Sequence, residues 1–492
     1  MTKEHKHSSL DLREMARRVM IENGFEPGMP PGIASELRAL ESKTHDVTHD
    51  PSVRDLRSLL WSSIDNSDSR DLDQVEYAER LDDDQIRLMI GIADVDAFVS
   101  KGSAIDRHAF RNTTSIYTGV KIFPMLPVEL SNETSSLLED VDRLAVVIDM
   151  VVDPDGEVRS NDVYRAVVRN HAKLVYETLG AWLEGRAAAP SKVTEVSGLT
   201  DQIHLQDKAR ERLRALRRRS GALNLQTIEA KPIAVDGRVV DLVQAEHNRA
   251  RDIIESFMVA ANTEMAEFLE GQGWPSIRRV VRTPERWPRI VEIARGFGDN
   301  LPEEPDSRAL SAFLSRRRAA DPEHFPDLSL SVVKLMGPGE YVVERPGTES
   351  EGHFGLAVHD YTHSTAPNRR YADLITQRLV KAVVARRAPP YTEAELREIA
   401  EQCTEREDAA RKVERLMRKA AAALLLGERI GESFDAIVTG VSAKGTFARL
   451  ISPPADGRVV QGEEGMDVGD KVRVRLLSTE PERGFIDFAR AR

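Results

Sequence analysis

Helical periodicity dominates the pattern of apolar and polar positions along this chain. Apolar residues recur every three or four positions in several long stretches, a spacing that places them on one face of a helix. The first stretch ends at Asn23-Gly24, a typical helix stop, and the last is broken by Gly427 and Gly431. The pattern predicts helices around residues 10–25, 37–40, 205–216, 249–269 and 392–426.

Two shorter runs are apolar at almost every position, which is typical of strands buried on both faces. They are Ile86–Ala93 and Leu144–Val152, and the second is closed by the turn-forming residues 153–156. From Phe434 to Phe488, short β-type runs alternate with glycine-containing turns, as expected of a small closed barrel. The chain therefore mixes helices with strands and ends in a β-rich segment.

The densest cluster of charge lies between Ser63 and Val75. Four aspartates fall within nine residues: Asp65, Asp68, Asp71 and Asp73. Carboxylates this close repel one another unless water, basic groups or a cation supplies the opposite charge. If the chain after Asp71 is extended, Asp71 and Asp73 point to one face, and Asp65 must fold back to reach them. Hard oxygen ligands suit magnesium or manganese, although most acidic clusters are simply solvated loops.

Two other metal motifs are matched only in part. Asp65 and Glu76 fall at the first and twelfth positions of a calcium loop, but serines occupy the third and fifth, and Arg70 stands where the sharp turn needs glycine. His359 and His363 have the spacing of a zinc-protease helix, yet aspartate stands where that motif needs glutamate. The sequence therefore favours neither calcium nor zinc.

Length and charge limit the class of protein. A chain of 492 residues is expected to form roughly two to four domains. The net charge of −12 argues against nucleic-acid binding over the whole surface but does not exclude a local basic groove. Three basic runs, within residues 208–219, 278–282 and 316–318, are either ordinary solvated faces or places where positive surface is concentrated.

Cysteine content and hydropathy bear on location. Cys403 is the only cysteine, so no intrachain disulfide can form and a reducing compartment is expected. The N-terminus lacks the apolar core of a signal peptide, and no stretch approaches the ~18 apolar residues of a membrane span. We therefore expect a cytoplasmic protein without a membrane partner.

Six segments, taken together, resemble the ribonuclease II / ribonuclease R (RNB) family of exoribonucleases over residues 50–492. The acidic segment is similar to the family's Thr-Ile-Asp-Gly-x-Asp-x-x-Asp-x-Asp-Asp box, and five further blocks follow in the family's order. These blocks are Ile90–Val95, Pro124–Ser131, Lys173–Tyr176, His353–Leu356 and Pro367–Leu374. The resemblance implies an α+β fold whose catalytic domain is a mixed β-sheet surrounded by helices.

The resemblance also implies three domains. Residues 1–48 would form a small helical or winged-helix-like domain, 49–430 the RNB catalytic domain, and 431–492 an OB-fold RNA-binding barrel. The first domain is too short for the two cold-shock barrels of typical members, at ~60 to 70 residues each. It is either a cap that touches nucleic acid or a packing appendage, and the sequence leaves both open.

The activity implied is processive 3′-to-5′ hydrolysis of single-stranded RNA to 5′-mononucleotides, in RNA turnover, by a monomer that uses Mg²⁺ or alternatively Mn²⁺. The implied catalytic residues are Asp65, Asp71, Asp73 and Arg369, of which the three aspartates hold the metal. The implied substrate-binding residues are Tyr117, Tyr176, Leu225, Glu255, Arg369 and Arg370. The resemblance implies that Tyr117 and Tyr176 stack on or wedge against the terminal bases, and that Tyr176 with Glu255 reads the ribose hydroxyl.

Three positions depart from the family's pattern. Gln74 stands where the box has its last acid, Leu225 replaces an aromatic that clamps terminal bases, and Asn368 replaces an isoleucine before the arginine pair. Gln74 raises the alternative of a catalytically impaired RNA-binding relative. A third hypothesis, an unrelated metal-binding structural protein, would require all six blocks to be coincidence.

Overall fold

The computed structural model describes residues 10–41, 50–226, 230–235, 238–244, 247–348, 350–442 and 445–491. Its helices are α1 (Leu12–Glu22), α2 (Pro31–Glu41), α3 (Ala104–Asn112), α4 (Tyr176–Leu183), α5 (Ser191–Glu195), α6 (Leu199–Ser220), α7 (Arg249–Gly271), α8 (Trp287–Gly296), α9 (Ser307–Ala320), α10 (Phe325–Met336), α11 (Tyr371–Val384) and α12 (Glu393–Leu426). Among the helices so described, none is long and apolar enough to cross a bilayer.

The strands fall into one large sheet, three two-stranded pairs and a barrel. They are β1 (Val53–Asp55), β2 (Trp61–Asp65), β3 (Gln74–Arg80), β4 (Ile86–Ala93), β5 (Ile116–Tyr117), β6 (Ile122–Phe123), β7 (Asp142–Val152), β8 (Val158–Val175), β9 (Ala230–Val235), β10 (Arg238–Gln244), β11 (Ser276–Val280), β12 (Glu340–Glu344), β13 (Ser433–Ser442), β14 (Gly445–Leu450), β15 (Asp456–Gln461), β16 (Lys471–Glu480) and β17 (Phe485–Arg490). Strands and helices follow one another in runs, and most strand pairings are antiparallel, which confirms the predicted α+β class.

The central sheet has the order β1-β8-β2-β3-β4-β7, and β8 also pairs with β7, so the sheet curls round on itself. The two apolar runs of the sequence form its interior: β4 and most of β7 are buried, as predicted. The 18 residues of β8 run antiparallel to β7 in their first part and parallel to β2 in their last. This arrangement brings the ends of β2 and β8 side by side.

The N-terminal segment contains the two predicted helices. The Asp11 carboxylate caps α1 by accepting hydrogen bonds from the backbone of Arg13 and Glu14, and Gly24 leaves the helix at φ +81°. Residues 10–41 contain no strand, whereas residues 1–9 and 42–49 of the predicted first domain lie outside the described residues. The helical part of the prediction is therefore confirmed, and a winged-helix form stays a prediction.

Helix α12, 34 residues long, contacts several separate parts of the molecule. Its start is fixed by reciprocal capping, since the Glu395 amide donates to Thr392 and the Thr392 amide donates to the Glu395 carboxylate. Along its length it packs against α1, the β11–β12 pair and the barrel. The predicted boundaries, 392–426, agree with the observed helix.

The C-terminal segment closes into a five-stranded barrel in the order β13-β14-β15-β17-β16, as predicted. Gly457 of β15 lies against Phe488 of β17 so closely that a Cβ there would approach Phe488 Cε2 to 2.3 Å. Ala422, Ala423 and Leu426 of α12 join the apolar core of the barrel. The barrel is thus attached to the rest of the chain through the end of α12.

The expectation for the basic runs is wrong at several positions. Arg278 and Arg279 lie on β11, where all five residues are buried, and Arg210 and Arg212 of α6 are also buried. Arg279 pairs with Glu407 of α12 at 2.7 Å. These arginines are neither solvated faces nor positive surface, because carboxylates, some on the same helix and some on distant elements, neutralise them inside the protein.

Candidate active site

The acidic loop, residues 65–73, runs from the last residue of β2 to the start of β3. Its chain is anchored at Leu72, which is buried: the Leu72 amide donates to Ser136 Oγ at 2.9 Å and its carbonyl accepts from the Leu137 amide at 3.0 Å. Asp71 and Asp73 flank this anchor. Burial raises the pKa of Asp71 and Arg369 opposes this rise, while Asp71 adds to the rise in the pKa of Asp73, so the two aspartates and Arg369 share one electrostatic environment.

Asp73 is the most deeply buried of the four aspartates between Ser63 and Val75, with 2% of its surface exposed. Its Oδ1 accepts from the Asn368 amide at 3.2 Å, and its Oδ2 accepts from Arg369 Nε at 3.1 Å. Burial raises the pKa of Asp73 to about 7; Arg369 opposes this shift and Asp71 adds to it. The side chain of Arg369 remains 45% exposed, so its other donors are available to a ligand.

The second arginine of the predicted pair has a different environment. Arg370 donates from Nε and Nη2 to the two oxygens of Asp373, at 2.9 and 2.7 Å, and Asp373 is fully buried. Only about a quarter of the Arg370 side chain is exposed. The structure therefore joins Arg369, but not Arg370, to the aspartates by direct contact.

Two predicted tyrosines lie beside the acidic loop. The phenol of Tyr117 is influenced by Asp65, Asp71, Asp73 and Arg369, and burial raises its pKa. Burial also raises the pKa of Tyr176, with Asp65 adding to the shift. Both phenols are therefore neutral at physiological pH, and both lie within electrostatic reach of the Asp65 carboxylate.

Leu225 and Glu255 lie in other environments. Leu225 packs at the edge of the apolar cluster that contains Trp287 and Phe325. The Glu255 carboxylate is about half exposed and lies 3.7 Å from Arg217 Nη2. Glu255 therefore projects away from the core of α7, as the helical pattern predicted.

The donor chemistry of the three aspartates fits a hard divalent cation, because the buried Asp73 and the half-buried Asp65 and Asp71, with one adjacent arginine, remain short of positive charge. The oxygens of these three carboxylates do not lie as close to one another as the ligand atoms of one metal ion do. Within the described residues, three such ligand atoms come within 4.8 Å of one another only in His247, Asp252 and Glu255. There Asp252 is already bonded to His247 and Arg214. In the acidic loop, Asp65 Oδ1 accepts from Asn66 and Ser69, at 2.7 and 2.6 Å.

Two cations that hold the acidic loop were not identified from the sequence. Lys173 Nζ donates to the carbonyls of Ser67 and Ser69, at 3.2 and 2.5 Å, and Arg251 Nη2 donates to Asn66 Oδ1 at 3.2 Å. A signal existed for Arg251, since a cation in the first turn of a helix is disfavoured by the helix dipole and needs a compensating contact. Lys173 belongs to the block Lys173–Tyr176, but no pattern in the sequence around it indicates a contact with the acidic loop.

The other metal motifs are not supported. Glu76, the twelfth position of the calcium pattern, lies inside β3 and is fully buried. Residues 359–363 are not helical, and His363 Nδ1 shares a hydrogen bond with Tyr341 Oη at 2.8 Å. Neither segment has the local structure that its motif requires.

Comparison with protein families gives two matches. A model described as the RNB domain matches residues 53–386, and one described as the RNase II-type exonuclease C-terminal S1 domain matches residues 432–491. The chain is 30% identical over 499 residues to ribonuclease R of Thermotoga maritima, covering 94% of this chain and 68% of that relative. It is 30% identical over 406 residues to ribonuclease R 1 of Lactococcus lactis, covering 80% of this chain and 48% of that relative. The chain thus spans less than half of one relative and about two thirds of the other.

Solved structures with the same fold are more distant in sequence. The apo form of Mycoplasma genitalium RNase R matches with a TM-score of 0.86 at 22% identity, covering 98% of this chain and 78% of that one. Yeast Ssd1, described as a pseudonuclease, matches with a TM-score of 0.70 at 16% identity, covering 94% of this chain and 57% of that one. At these identities the likeness concerns the fold alone.

Proposed function

Because the chain belongs to the RNB family, we propose that it is a processive 3′-to-5′ exoribonuclease that hydrolyses single-stranded RNA to 5′-mononucleotides in cytoplasmic RNA turnover. The observation that carries the proposal is the contact between Asp73, a buried carboxylate, and Arg369, whose guanidinium is still partly exposed. Hydrolysis of a phosphodiester needs an accessible permanent cation for the phosphate and acidic groups beside it.

The aspartates Asp65, Asp71 and Asp73 would hold the cofactor, Mg²⁺ or alternatively Mn²⁺. When bound, a divalent cation lowers the pKa of a water molecule and stabilises the leaving oxygen. Arg369 would donate to the oxygens of the scissile phosphate, for which a guanidinium fork is well shaped. Arg370 would support this role indirectly, because its bonds to Asp373 fix the start of α11.

The aromatic side chains explain how one site accepts any RNA sequence. Tyr117 and Tyr176 would stack on terminal bases, and such stacking contributes roughly 1 to 3 kcal/mol per base with little dependence on its identity. Tyr176 and Glu255 would contact the ribose, whose 2′-hydroxyl distinguishes RNA from DNA. Leu225 has no aromatic face, so the clamp on the terminal bases is looser than with an aromatic at that position.

The test compares Asp73→Asn with Asp68→Asn, an exposed aspartate of the same loop. With labelled single-stranded RNA and Mg²⁺, we expect the wild type and Asp68→Asn to release 5′-mononucleotides. Asp73→Asn should bind RNA but cleave it at least about a hundredfold more slowly, a usual result of removing one essential electrostatic group. EDTA should abolish wild-type cleavage. Cleavage by Asp73→Asn at the wild-type rate would contradict the assignment.

A catalytically impaired RNA-binding protein is the second candidate function. It is favoured by Gln74, a buried amide at the start of β3 where the family's box has an acid. Wild-type protein that retains intact RNA in the presence of Mg²⁺ would support it. In that case Gln74→Asp should restore cleavage, whereas in an active enzyme the same change should alter the rate only slightly.

A further inference from the structure

Arg251, in the first turn of α7, connects two parts of the candidate active site. Its guanidinium carbon lies 4.3 Å from the centroid of the Tyr176 ring, in a cation–π contact. Its Nη2 donates to Asn66 Oδ1 at 3.2 Å and to Glu177 Oε1 at 2.9 Å. Asn66 directly follows Asp65, so one side chain joins the ring predicted to meet the nucleotide to the loop that carries the aspartates.

The position of Arg251 is electrostatically unfavourable in isolation. The N-terminus of a helix carries partial positive charge, which opposes a cation in the first turn. The Nε of Arg251 is also buried and makes no hydrogen bond within the described residues, so its hydration is lost without replacement. An apolar side chain would fill the space without these costs, which indicates that the contacts with Tyr176 and Asn66 matter for more than packing.

The backbone around Arg251 and Tyr176 is held by a single residue. Asn248, the N-cap of α7, accepts a hydrogen bond from the Arg251 amide at 3.1 Å and donates one to the Tyr176 carbonyl at 3.1 Å. Gly180 of α4 lies so close to Asn248 that a Cβ there would approach Asn248 Cγ to 2.5 Å. The starts of α4 and α7 therefore cannot shift independently, and the guanidinium is kept on one face of the ring.

The acidic loop is held from both sides. Arg251 binds Asn66 from α7, while Lys173 binds the carbonyls of Ser67 and Ser69 from β8. Of these two cations, only Arg251 also contacts the ring of Tyr176. Because the guanidinium covers one face of that ring, a base can stack only on the other.

We propose that Arg251 is a positioning residue that couples Tyr176 to the acidic loop. It fixes the ring and the Asp65 end of the loop in one mutual arrangement, so that a nucleotide correctly seated on Tyr176 finds the aspartates in place. Discrimination for RNA and the response to the metal ion then depend on the same side chain. The inference rests on the proposed function, in which Tyr176 meets the terminal nucleotide and Asp65 helps to hold the metal.

Four variants separate the two contacts. Arg251→Met removes both, Arg251→Lys keeps the charge without the planar fork, and Asn66→Ala removes the loop contact only. Glu177→Gln removes the ion pair with an exposed carboxylate and serves as the matched control. For each variant, kcat and KM are measured with single-stranded RNA, with the same oligonucleotide carrying a 2′-deoxy 3′-terminal nucleotide, and across a Mg²⁺ series. Thermal unfolding reports whether each variant is folded.

We expect Glu177→Gln to behave as the wild type. Asn66→Ala should raise the Mg²⁺ concentration for half-maximal activity several-fold with little change in KM. Arg251→Met should do the same, lower kcat about tenfold and reduce the preference for ribose over deoxyribose, with Arg251→Lys intermediate. In the double variant Asn66→Ala/Arg251→Met, the effects should combine to less than their product, because both act through one contact.

Two results would overturn the coupling. One is an RNA-to-deoxy ratio that is unchanged in both Arg251 variants, and the other is strictly multiplicative effects in the double variant. If the wild type does not cleave RNA at all, the proposed function fails, and the coupling is then measured by binding of the same two oligonucleotides with and without Mg²⁺. A ribose preference that Mg²⁺ changes in the wild type but not in Arg251→Met would still support it; identical behaviour of the two proteins would refute it.

Discussion

Glu264 of α7 is a buried carboxylate whose environment makes stability depend on pH. It is 6% exposed, and its Oε2 accepts a hydrogen bond from Asn161 Nδ2. Burial raises the pKa of Glu264 to about 7; the bond from Asn161 opposes this and Glu267 adds to it. The unfolded chain releases this proton near pH 4.3, so between about pH 4.5 and 7 the folded state binds more protons and its stability falls as pH rises.

The variant Glu264→Gln should therefore be more stable than the wild type above pH 7, by at most about 4 kcal/mol, and the difference should vanish below about pH 4.5. The glutamine keeps an oxygen that can accept from Asn161 but carries no charge to desolvate. Urea unfolding at pH 5 and pH 8 measures the difference. Glu303→Gln, at an exposed position, should show none at either pH. An equal difference at both values would show that charge burial is not the cause.

Sequence distance decides which site residues could be predicted. Asp65, Asp71 and Asp73 are neighbours in the chain, so their mutual repulsion is visible in the sequence. Arg251 and its partner Asn66 are 185 positions apart, and no local pattern connects them. The buried arginine Arg279 was interpreted as surface for the same reason, because its partner Glu407 is 128 positions away. From sequence alone a charged residue is expected to be exposed to solvent, because its ion-pair partner becomes visible only in the folded structure.

At the scale of elements, the acidic loop depends on a strand that lies far from it in the sequence. Lys173 is near the end of β8, and its ammonium group donates to the carbonyls of Ser67 and Ser69. These bonds fix the backbone of the loop between Asp65 and Asp71 without touching either carboxylate. The strand therefore sets how widely the aspartates are spaced.

The variant Lys173→Met keeps an unbranched side chain but removes both bonds. We expect the Mg²⁺ concentration for half-maximal activity to rise about tenfold, as is usual when support for metal ligands is lost, with RNA affinity in EDTA nearly unchanged. Lys208→Met, which removes a surface ion pair with Asp84, is the control and should leave the Mg²⁺ response as in the wild type. A Mg²⁺ response of Lys173→Met equal to that of the control would mean that the loop holds its shape alone.

The strands and helices differ in how well their patterns predicted them. Helix α12 was located closely because its apolar spacing continues for 34 residues behind a capping threonine. Strand β8 was not identified, since residues 159–162 are exposed and its buried half carries arginine, asparagine, histidine and lysine among the apolar residues. A strand that pairs with different neighbours along its length lies in different environments. Its residues therefore do not follow one regular alternation of apolar and polar positions.

At the scale of the whole molecule, the predicted RNB-type fold with a C-terminal barrel is confirmed by the family matches. What the sequence left open is how the parts are joined. Arg449 of β14 pairs with Asp327 of α10 at 2.9 Å, and the end of α12 enters the barrel core. Next to this end of the helix, α1 packs on residues 410–421 of α12. Domain boundaries can be predicted from changes of pattern, but contacts between domains need two patterns that are complementary in shape.

The packing of α1 extends to the segment that carries Tyr117. Leu12, Met15, Val19 and Met20 lie in one apolar cluster with α12, and the cluster includes Ile116 and Phe123 of the β5–β6 pair. Tyr117 follows Ile116 directly, and its amide donates to Glu414 of α12 at 2.9 Å. Helix α1 therefore packs against the β5–β6 pair that carries Tyr117. Of the two alternatives that the sequence left open, these contacts bear on the packing appendage, and a cap that touches nucleic acid stays a prediction.

Met20→Ala tests this connection against Ile21→Ala on the same helix, because Met20 is 1% exposed and Ile21 is 56% exposed. Met20→Ala should lower the free energy of unfolding by about 2 to 5 kcal/mol, the usual result of emptying a buried methionine site, while Ile21→Ala should change it by less than about 0.5 kcal/mol. If the cluster also holds the β5–β6 pair in place, Met20→Ala should raise KM for RNA several-fold at a temperature where it is fully folded, with kcat less affected. A folded Met20→Ala variant with unchanged KM would restrict α1 to stabilising the fold. A rise in KM that Tyr117→Ala reproduces, and that is not increased further in the double variant, would show that the helix acts on RNA through this tyrosine.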